Sequence, residues 1–516
     1  MKTIVDTKLS VRYGYKLAAQ ILSGGVALLT SSIAIRFLGP GRFGNYVFLT
    51  AFFTSTLDFF DSGTSLGFYT KLSQRPDDSG LVQFYWLFTA GIATLLSAVI
   101  GLCAILGIHQ YIWPQQNVIF VALAMAWGLL TWFSQTVNKV MDAHGLTVGA
   151  ERMRVCQKLL SLLMLGALVY WTSPSLGAYF AYQYCIIGLM VGSWWYVLKR
   201  HHIPLFPRSG MDVQRAKHYG AEFMAYSLPI ATYSLLAAGA GIADRWLLQR
   251  FGGDIQQAFF GLSQQVSAIA VLFTSAMVPL FMREVSRAWA AADKDKLRDM
   301  FESHLPLFYS IAVFFAAFIC VQAGRAVAIL GGAQFANSAG TLSLMALYPI
   351  HQVYGQLCGA VFFATGKTRA YRNIGIIVTI LGLFATVLLL GPKGYGLHLG
   401  ARGLAIKMVV VQLFSVNLML FICTRTIDVS FLKMLAHQCW SFVLIISCSL
   451  LASLSATAVA SSNWAVLLAS AAIYGVLFIG LVFCIPQLIG VGRSTLMEHF
   501  DRVKVATNRL ILRESA

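Results

Sequence analysis

Long apolar runs alternate with short polar connectors along the whole chain. They fall at 13–35, 46–70, 82–107, 117–138, 156–172, 176–198, 222–247, 258–282, 305–324, 339–364, 373–391, 402–424, 436–456 and 464–485. An apolar helix of about 20 residues crosses the hydrocarbon core of a bilayer. The pattern therefore predicts an all-α integral membrane protein with about fourteen transmembrane helices.

The polar positions test that count. With a cytoplasmic N-terminus, the inside segments hold 30 of the 38 Lys and Arg, the outer connectors hold 7, and Lys407 sits within a span. Cytoplasmic loops are enriched in Lys and Arg, and one span more or fewer would scramble the alternation. Both termini are expected inside. The basic start MKTIVDTKLSVRYGYK leads into a run without an evident cleavage site, and reads as a retained first helix rather than a removed signal.

Composition narrows the class further. Hydrophobic residues make up 58% of the 516 and charged residues only 11%, against about a quarter charged in soluble domains. The net charge of +18 would raise the question of nucleic acid in a soluble protein. Here the basic residues are scattered through connectors, and no basic domain exists to hold a nucleic acid. The nine cysteines form no C-x-x-C pair and lie mostly in apolar runs, so neither disulfides nor a metal site is expected. No GxxxxGK[ST] pattern occurs, so nothing supports ATP hydrolysis, and no cofactor is expected.

Two inside connectors have amphipathic character. The first, 199–219, separates six spans from the following eight. The second, 283–304, spaces Val285, Trp289, Leu297 and Phe301 at helical intervals. Both are expected to lie along the inner leaflet. Prolines fall inside later spans only, at Pro229, Pro279 and Pro349, where each removes a backbone donor and bends its helix.

The connector IRFLGPGRFGNYVF (35–48) is more elaborate than a loop requires. Gly39-Pro40-Gly41 predicts a tight turn. Arg36 and Arg42 are expected at the membrane interface, with Phe43 and Tyr46 as amphipathic anchors. QRFGGDIQQAFFGL (249–262) repeats it faintly: an Arg-Phe pair, Gly-rich turn residues, then an aromatic-Gly cluster opening the next helix. Parallel halves of this kind recur in transporters, with the substrate site between them.

Arg36, Leu38, Gly39, Pro40, Phe43, Gly44 and Tyr46 together resemble a signature of the polysaccharide-export branch of the MOP exporter superfamily, the Wzx-type flippases. LDFFDSGTSLGF and ADRWLLQRFGG add to the likeness. The resemblance implies two pseudo-symmetric six-helix lobes about a central cavity, with two additional C-terminal helices. The corresponding domains are an N-lobe (1–198), an amphipathic linker (199–221), a C-lobe (222–424), spans 13–14 (425–490) and a basic tail (491–516). The function it implies is alternating-access transport of an undecaprenyl-diphosphate-linked oligosaccharide from the inner to the outer leaflet of the bacterial cytoplasmic membrane. The repeat unit would belong to an O-antigen (lipopolysaccharide), capsule or exopolysaccharide. Such a protein is not an enzyme. Its partners would be that lipid-linked cargo, membrane lipids, and a polysaccharide polymerase with its chain-length machinery; the family leans towards a working monomer.

Candidate residues follow from the cost of charge at depth. Lys407 in LAIKMVVVQLF is expected to line the cavity and attract the diphosphate. Asp58 and Asp61 share a helix face and, with His351, are candidates for coupling to a proton or sodium gradient. Arg12, Lys16 and Arg283 are placed to gather an anionic headgroup at the inner mouth. Asp244 and Arg245 are a candidate gate pair, although adjacency turns them in different directions. Arg36, Gly39, Pro40 and Gly44 form the structural connector. Glu222 reads as a favourable charge at a helix N-terminus. Two other classes compete. A multidrug exporter of the same superfamily would want an acidic cavity, against which Lys407 argues. A polyprenyl-linked glycosyltransferase or polymerase would want acids or a metal on sizeable outer loops, which are short here.

Overall fold

A computed structural model describes residues 9–207, 210–271 and 278–492, with side chains from residue 22 onward except at 226, 229, 230, 279 and 280. In chain order the helices are α1 (Leu9–Asp61), α2 (Thr64–Gln74), α3 (Ser79–Ile105), α4 (His109–Ile112), α5 (Val118–Ala143), α6 (Thr147–Trp171), α7 (Leu176–Arg200) and α8 (Val213–Ser267). They continue as α9 (Val278–Ala290), α10 (Lys294–Val321), α11 (Ala323–Leu330), α12 (Ala339–Met345), α13 (Tyr348–Ala364), α14 (Thr368–Leu390), α15 (Gly400–Ile427), α16 (Phe431–Val459) and α17 (Asn463–Cys484). Ten helices among the described residues are long and apolar enough to cross a membrane. The protein is a multi-pass, all-helical membrane protein. Each of the fourteen apolar runs falls on helix, although part of the run at 258–282 lies outside the described residues.

Capping explains where many helices start. Asp78, Asn117, Ser175, Asp293, Ser430 and Ser462 each accept from a backbone N–H of the first turn of α3, α5, α7, α10, α16 and α17. These side chains satisfy donors the helix itself leaves unpaired.

Two elements are too long to be one span. The 53 residues of α1 and the 55 of α8 would each reach about 80 Å at 1.5 Å per residue, far beyond a bilayer. Each is broken at one glycine. Gly39 has φ 71° and ψ 171°, and Gly253 has φ 77° and ψ −174°, a region in which essentially only glycine is unstrained. Pro40 then opens the second leg of α1, where its fixed φ and missing N–H are tolerated. The faint sequence repeat is thus a repeated backbone break.

Three expectations need correction. The run at 46–70 is not continuous: it stops at Asp61 and restarts at Thr64, after Gly63 in the left-handed region. The run at 339–364 also divides, into α12 and α13, and Pro349 sits at the start of α13 rather than inside a helix. The connector 283–304 is split by the Asp293 cap. Its Val285, Leu297 and Phe301 are at most 3% exposed, with α9 packed on α10 and α13. Those three are covered by protein, whereas Trp289 of the same set stays 36% exposed. In the connector 199–219, Leu205 is buried and its carbonyl accepts from Trp86 Nε1, while Phe206 stacks on Phe133. Phe206 itself stays 62% exposed.

The chain divides into two compact units. Unit 1 comprises residues 1–265, 330–338 and 375–407. Here α1 packs on α5 and α6, and α5 on α7. A core of Leu57, Phe68, Leu81, Tyr85, Trp132 and Trp194 fills one end. Unit 2 comprises residues 266–329, 339–374 and 408–516. There α10 packs on α13 and α16, and α16 on α17. Tyr474 stacks on Phe314 and donates to its carbonyl, and His437 and Ser310 both bond the carbonyl of Leu488.

Candidate transport site

Unit 1 contains a deeply buried ion pair. Lys407 on α15 donates from Nζ to Asp244 Oδ2 at 2.6 Å, with the two side chains 9% and 13% exposed. The other Asp244 oxygen accepts from Thr386 Oγ1 of α14 at 2.6 Å. Isolated charges cannot be held cheaply at such depth, and pairing plus the hydroxyl offsets much of the desolvation. Lys407 is therefore neutralised by an aspartate 163 positions away.

Arg245 points elsewhere and is also buried. Its guanidinium donates to Gln257 Oε1 at 3.2 Å and to Gln264 Oε1 at 2.5 Å. It lies 4.7 Å from the Phe260 ring centroid. Gln257 in turn donates to the Arg245 carbonyl at 2.6 Å. These partners are amides and a ring rather than a carboxylate, so they solvate the guanidinium without neutralising it. Asp244 and Arg245 serve two separate networks. Thr386, Gln257 and Gln264 escaped the sequence reading; glutamines inside the apolar stretch IQQAFFGLSQQ were the available signal.

Beside this site the two glycine breaks meet. A Cβ on Gly44 would lie 1.8 Å from the Asp254 carbonyl oxygen, and one on Gly41 would lie 3.2 Å from the Asp254 carboxylate. The second leg of α1 therefore needs glycine at 44 to seat against the corner after Gly253. Arg36 donates from Nε to the Leu330 carbonyl, which also accepts from Ser32. Phe43 packs on Phe335, and Tyr46 among Trp127, Tyr179 and Phe180. Both are buried, so they are core residues of unit 1 and not interfacial anchors.

At the opposite end of the first leg of α8 stands a second cluster. Glu222 accepts from Arg75 at 2.8 Å and from Lys71 at 3.0 Å. Asp78 accepts from Tyr219 Oη at 2.8 Å and caps α3 through Leu81 N. The hydrogen bond to Glu222 holds the Arg75 guanidinium above its ordinary range. Burial, then the bond to Asp78, pushes the Tyr219 phenol up to about 12. Glu222 lies well inside α8, so its role is to pair with α2, correcting the helix-terminus reading.

The remaining candidates separate. Asp61 Oδ1 accepts from Thr64 Oγ1 and Ser65 N, Oδ2 from Ser65 Oγ, and Tyr85 Oη completes the set. It staples the break between α1 and α2. Asp58, one turn earlier, is exposed and free of side-chain bonds among the described residues. Lys139 of α5 lies within electrostatic reach of Asp61. His351 of α13, in unit 2, has a buried Nδ1 without a hydrogen-bond partner among the described residues. Arg283 is exposed on α9. The side chains of Arg12 and Lys16 lie outside the described residues.

The family model described as polysaccharide biosynthesis protein matches residues 13–283. Among solved structures the chain is similar to a lipid II flippase, MurJ, in an inward closed conformation: 11% identity, TM-score 0.66, covering 92% of this chain and 99% of that one. It is also similar to an inward-facing multidrug resistance MATE transporter of the MOP superfamily, with 16% identity and TM-score 0.59 over 79% of this chain and 94% of the other. An outward-facing MATE transporter aligns at 15% identity and TM-score 0.53, covering 81% of this chain and 95% of that one. At these identities the structural likeness establishes the fold. No curated protein matches the chain by sequence.

Proposed function

The chain belongs to the polysaccharide biosynthesis protein family, and from that premise we propose that it is a flippase of the MOP superfamily whose cargo is an undecaprenyl-diphosphate-linked oligosaccharide carried from the inner to the outer leaflet. The family match carries this reading. The Asp244–Lys407 pair and the neighbouring Arg245 supply a chemistry that suits it. Of the two buried cations only Lys407 is paired with a carboxylate, so a diphosphate entering the site would compete with Asp244 for Lys407 and with glutamine amides for Arg245. The displaced carboxylate then favours release, because only one anion can hold the lysine at a time. Such an exchange keeps Lys407 paired with an anion throughout the passage of the headgroup.

Coupling to an ion gradient falls to Asp58 in this reading. Asp61 is committed to four hydrogen bonds, whereas Asp58 is exposed and uncommitted. The lobes 1–198 and 222–424 are proposed as the rocking bodies, with a single chain as the working unit. A polysaccharide polymerase acting after the flip would draw the cargo outward.

Deletion of the gene followed by analysis of lipid-linked intermediates tests the function. A complete oligosaccharide on its diphosphate carrier should accumulate at the cytoplasmic face. Unchanged surface polysaccharide with lost efflux of hydrophobic dyes would transfer the protein to the multidrug exporters.

A further inference from the structure

The Glu222 cluster plays no part in the exchange at Asp244, yet its design is that of an occupied anion site. Lys71 and Arg75 lie one helical turn apart, Lys71 in α2 and Arg75 as its C-terminal cap, and both converge on one carboxylate. Arg75 uses one nitrogen to reach both Glu222 oxygens, at 2.9 and 2.8 Å. The anion comes from a different element, α8, which Tyr219 also ties to Asp78. Phe223 packs on Phe84 and Tyr85 just behind. The side chains of Lys71, Arg75 and Glu222 are 27%, 39% and 20% exposed, so water and solutes reach them. The positive-inside distribution assigns this end to the cytoplasm.

We propose that Lys71 and Arg75 are the entry site for the diphosphate headgroup, and that Glu222 occupies it as an internal stand-in until the cargo arrives. The carboxylate mimics one phosphate and latches the cytoplasmic end of α8 to α2. A diphosphate carries more charge and more acceptor oxygens than a carboxylate, and a guanidinium can grip phosphate through two nitrogens where Arg75 holds Glu222 through one. Its arrival exchanges one partner for another without exposing an unpaired cation, and frees Glu222 together with α8. Cargo binding and opening of that end thereby become one event, a ligand selecting the released state. This inference rests on the diphosphate reading of the cargo.

The test uses the full chain in nanodiscs and hydrogen–deuterium exchange read at 71–81 and 213–223. The probes are geranylgeranyl diphosphate, inorganic pyrophosphate and geranylgeraniol. Geranylgeranyl diphosphate should speed exchange at both segments in the wild type, while geranylgeraniol and pyrophosphate at equal concentration leave it unchanged. Glu222→Gln should exchange fast without any probe and bind geranylgeranyl diphosphate about tenfold more tightly, because the competitor is gone. The double variant Lys71→Gln/Arg75→Gln should also exchange fast, but bind about tenfold more weakly. A purely structural latch would leave both variants with wild-type binding, which overturns the proposal, as would wild-type exchange that ignores the diphosphate lipid. An equal response to pyrophosphate alone would overturn the lipid-entry assignment. The intermediates accumulating in the deletion strain report on the cargo independently, so either reading can fail while the other stands.

Discussion

The two ends of the first leg of α8 are both held by ion pairs, and they differ in kind. At one end Asp244 meets Lys407 with the side chains 13% and 9% exposed, beside a corner where glycine touches backbone. At the other, Glu222 meets Lys71 and Arg75 with up to 39% of a side chain in contact with solvent. The chemistry of the charges is nearly the same. Burial decides what they do: a dry pair is expensive to part and tolerates no missing partner, whereas a wet pair exchanges partners at little cost.

The largest expected effect lies at the dry end. Lys407→Ala or Asp244→Asn should each destabilise the protein by about 3–5 kcal/mol and abolish transport, because one charge or a buried polar group loses its partner. The double variant Lys407→Met/Asp244→Leu should recover most of the stability and none of the flux. Thermal unfolding in detergent beside a flipping assay separates the two. If either single variant kept wild-type stability, the pair would not be buried as described.

The corner comes next. Gly44→Val drives a side chain into the Asp254 carbonyl and should lower stability by about 1–3 kcal/mol by overpacking. Gly253→Ala should lose a similar amount, about 1–3 kcal/mol, through backbone strain at φ 77°. Equal losses for Gly39→Ala and Gly253→Ala would sharpen the repeat, since the two glycines share a backbone conformation.

The smallest effect on stability belongs to the wet end. Glu222→Gln should change stability by less than about 1 kcal/mol. Raising the salt concentration should loosen the wild-type end towards the variant, while leaving the Asp244–Lys407 end unmoved. Asp58→Asn should leave stability unchanged and lower flux under an imposed gradient; wild-type flux would remove Asp58 from coupling.

Much of the architecture was legible in the chain. Apolar run length marked the spans because a bilayer leaves backbone groups no partner outside a helix. The Gly39 break and its echo at Gly253 were visible because such a backbone requires glycine. Local reading failed where packing intervened. Phe43 and Tyr46 looked like interfacial anchors and proved to be core, and Val285 of α9 with Leu297 and Phe301 of α10 are buried where those helices pack.

What the sequence determined by itself is the membrane class, the helical runs, the bias of basic residues between connectors and the two glycine breaks. All of these follow from local composition and backbone sterics. Only the tertiary structure decided which charges meet: Lys407 with Asp244 across 163 positions, and Arg75 with Glu222 across 147. The reason is physical. A helical period places a side chain on a face, but its partner is set by how that face is rotated and docked against another helix, which no local pattern encodes.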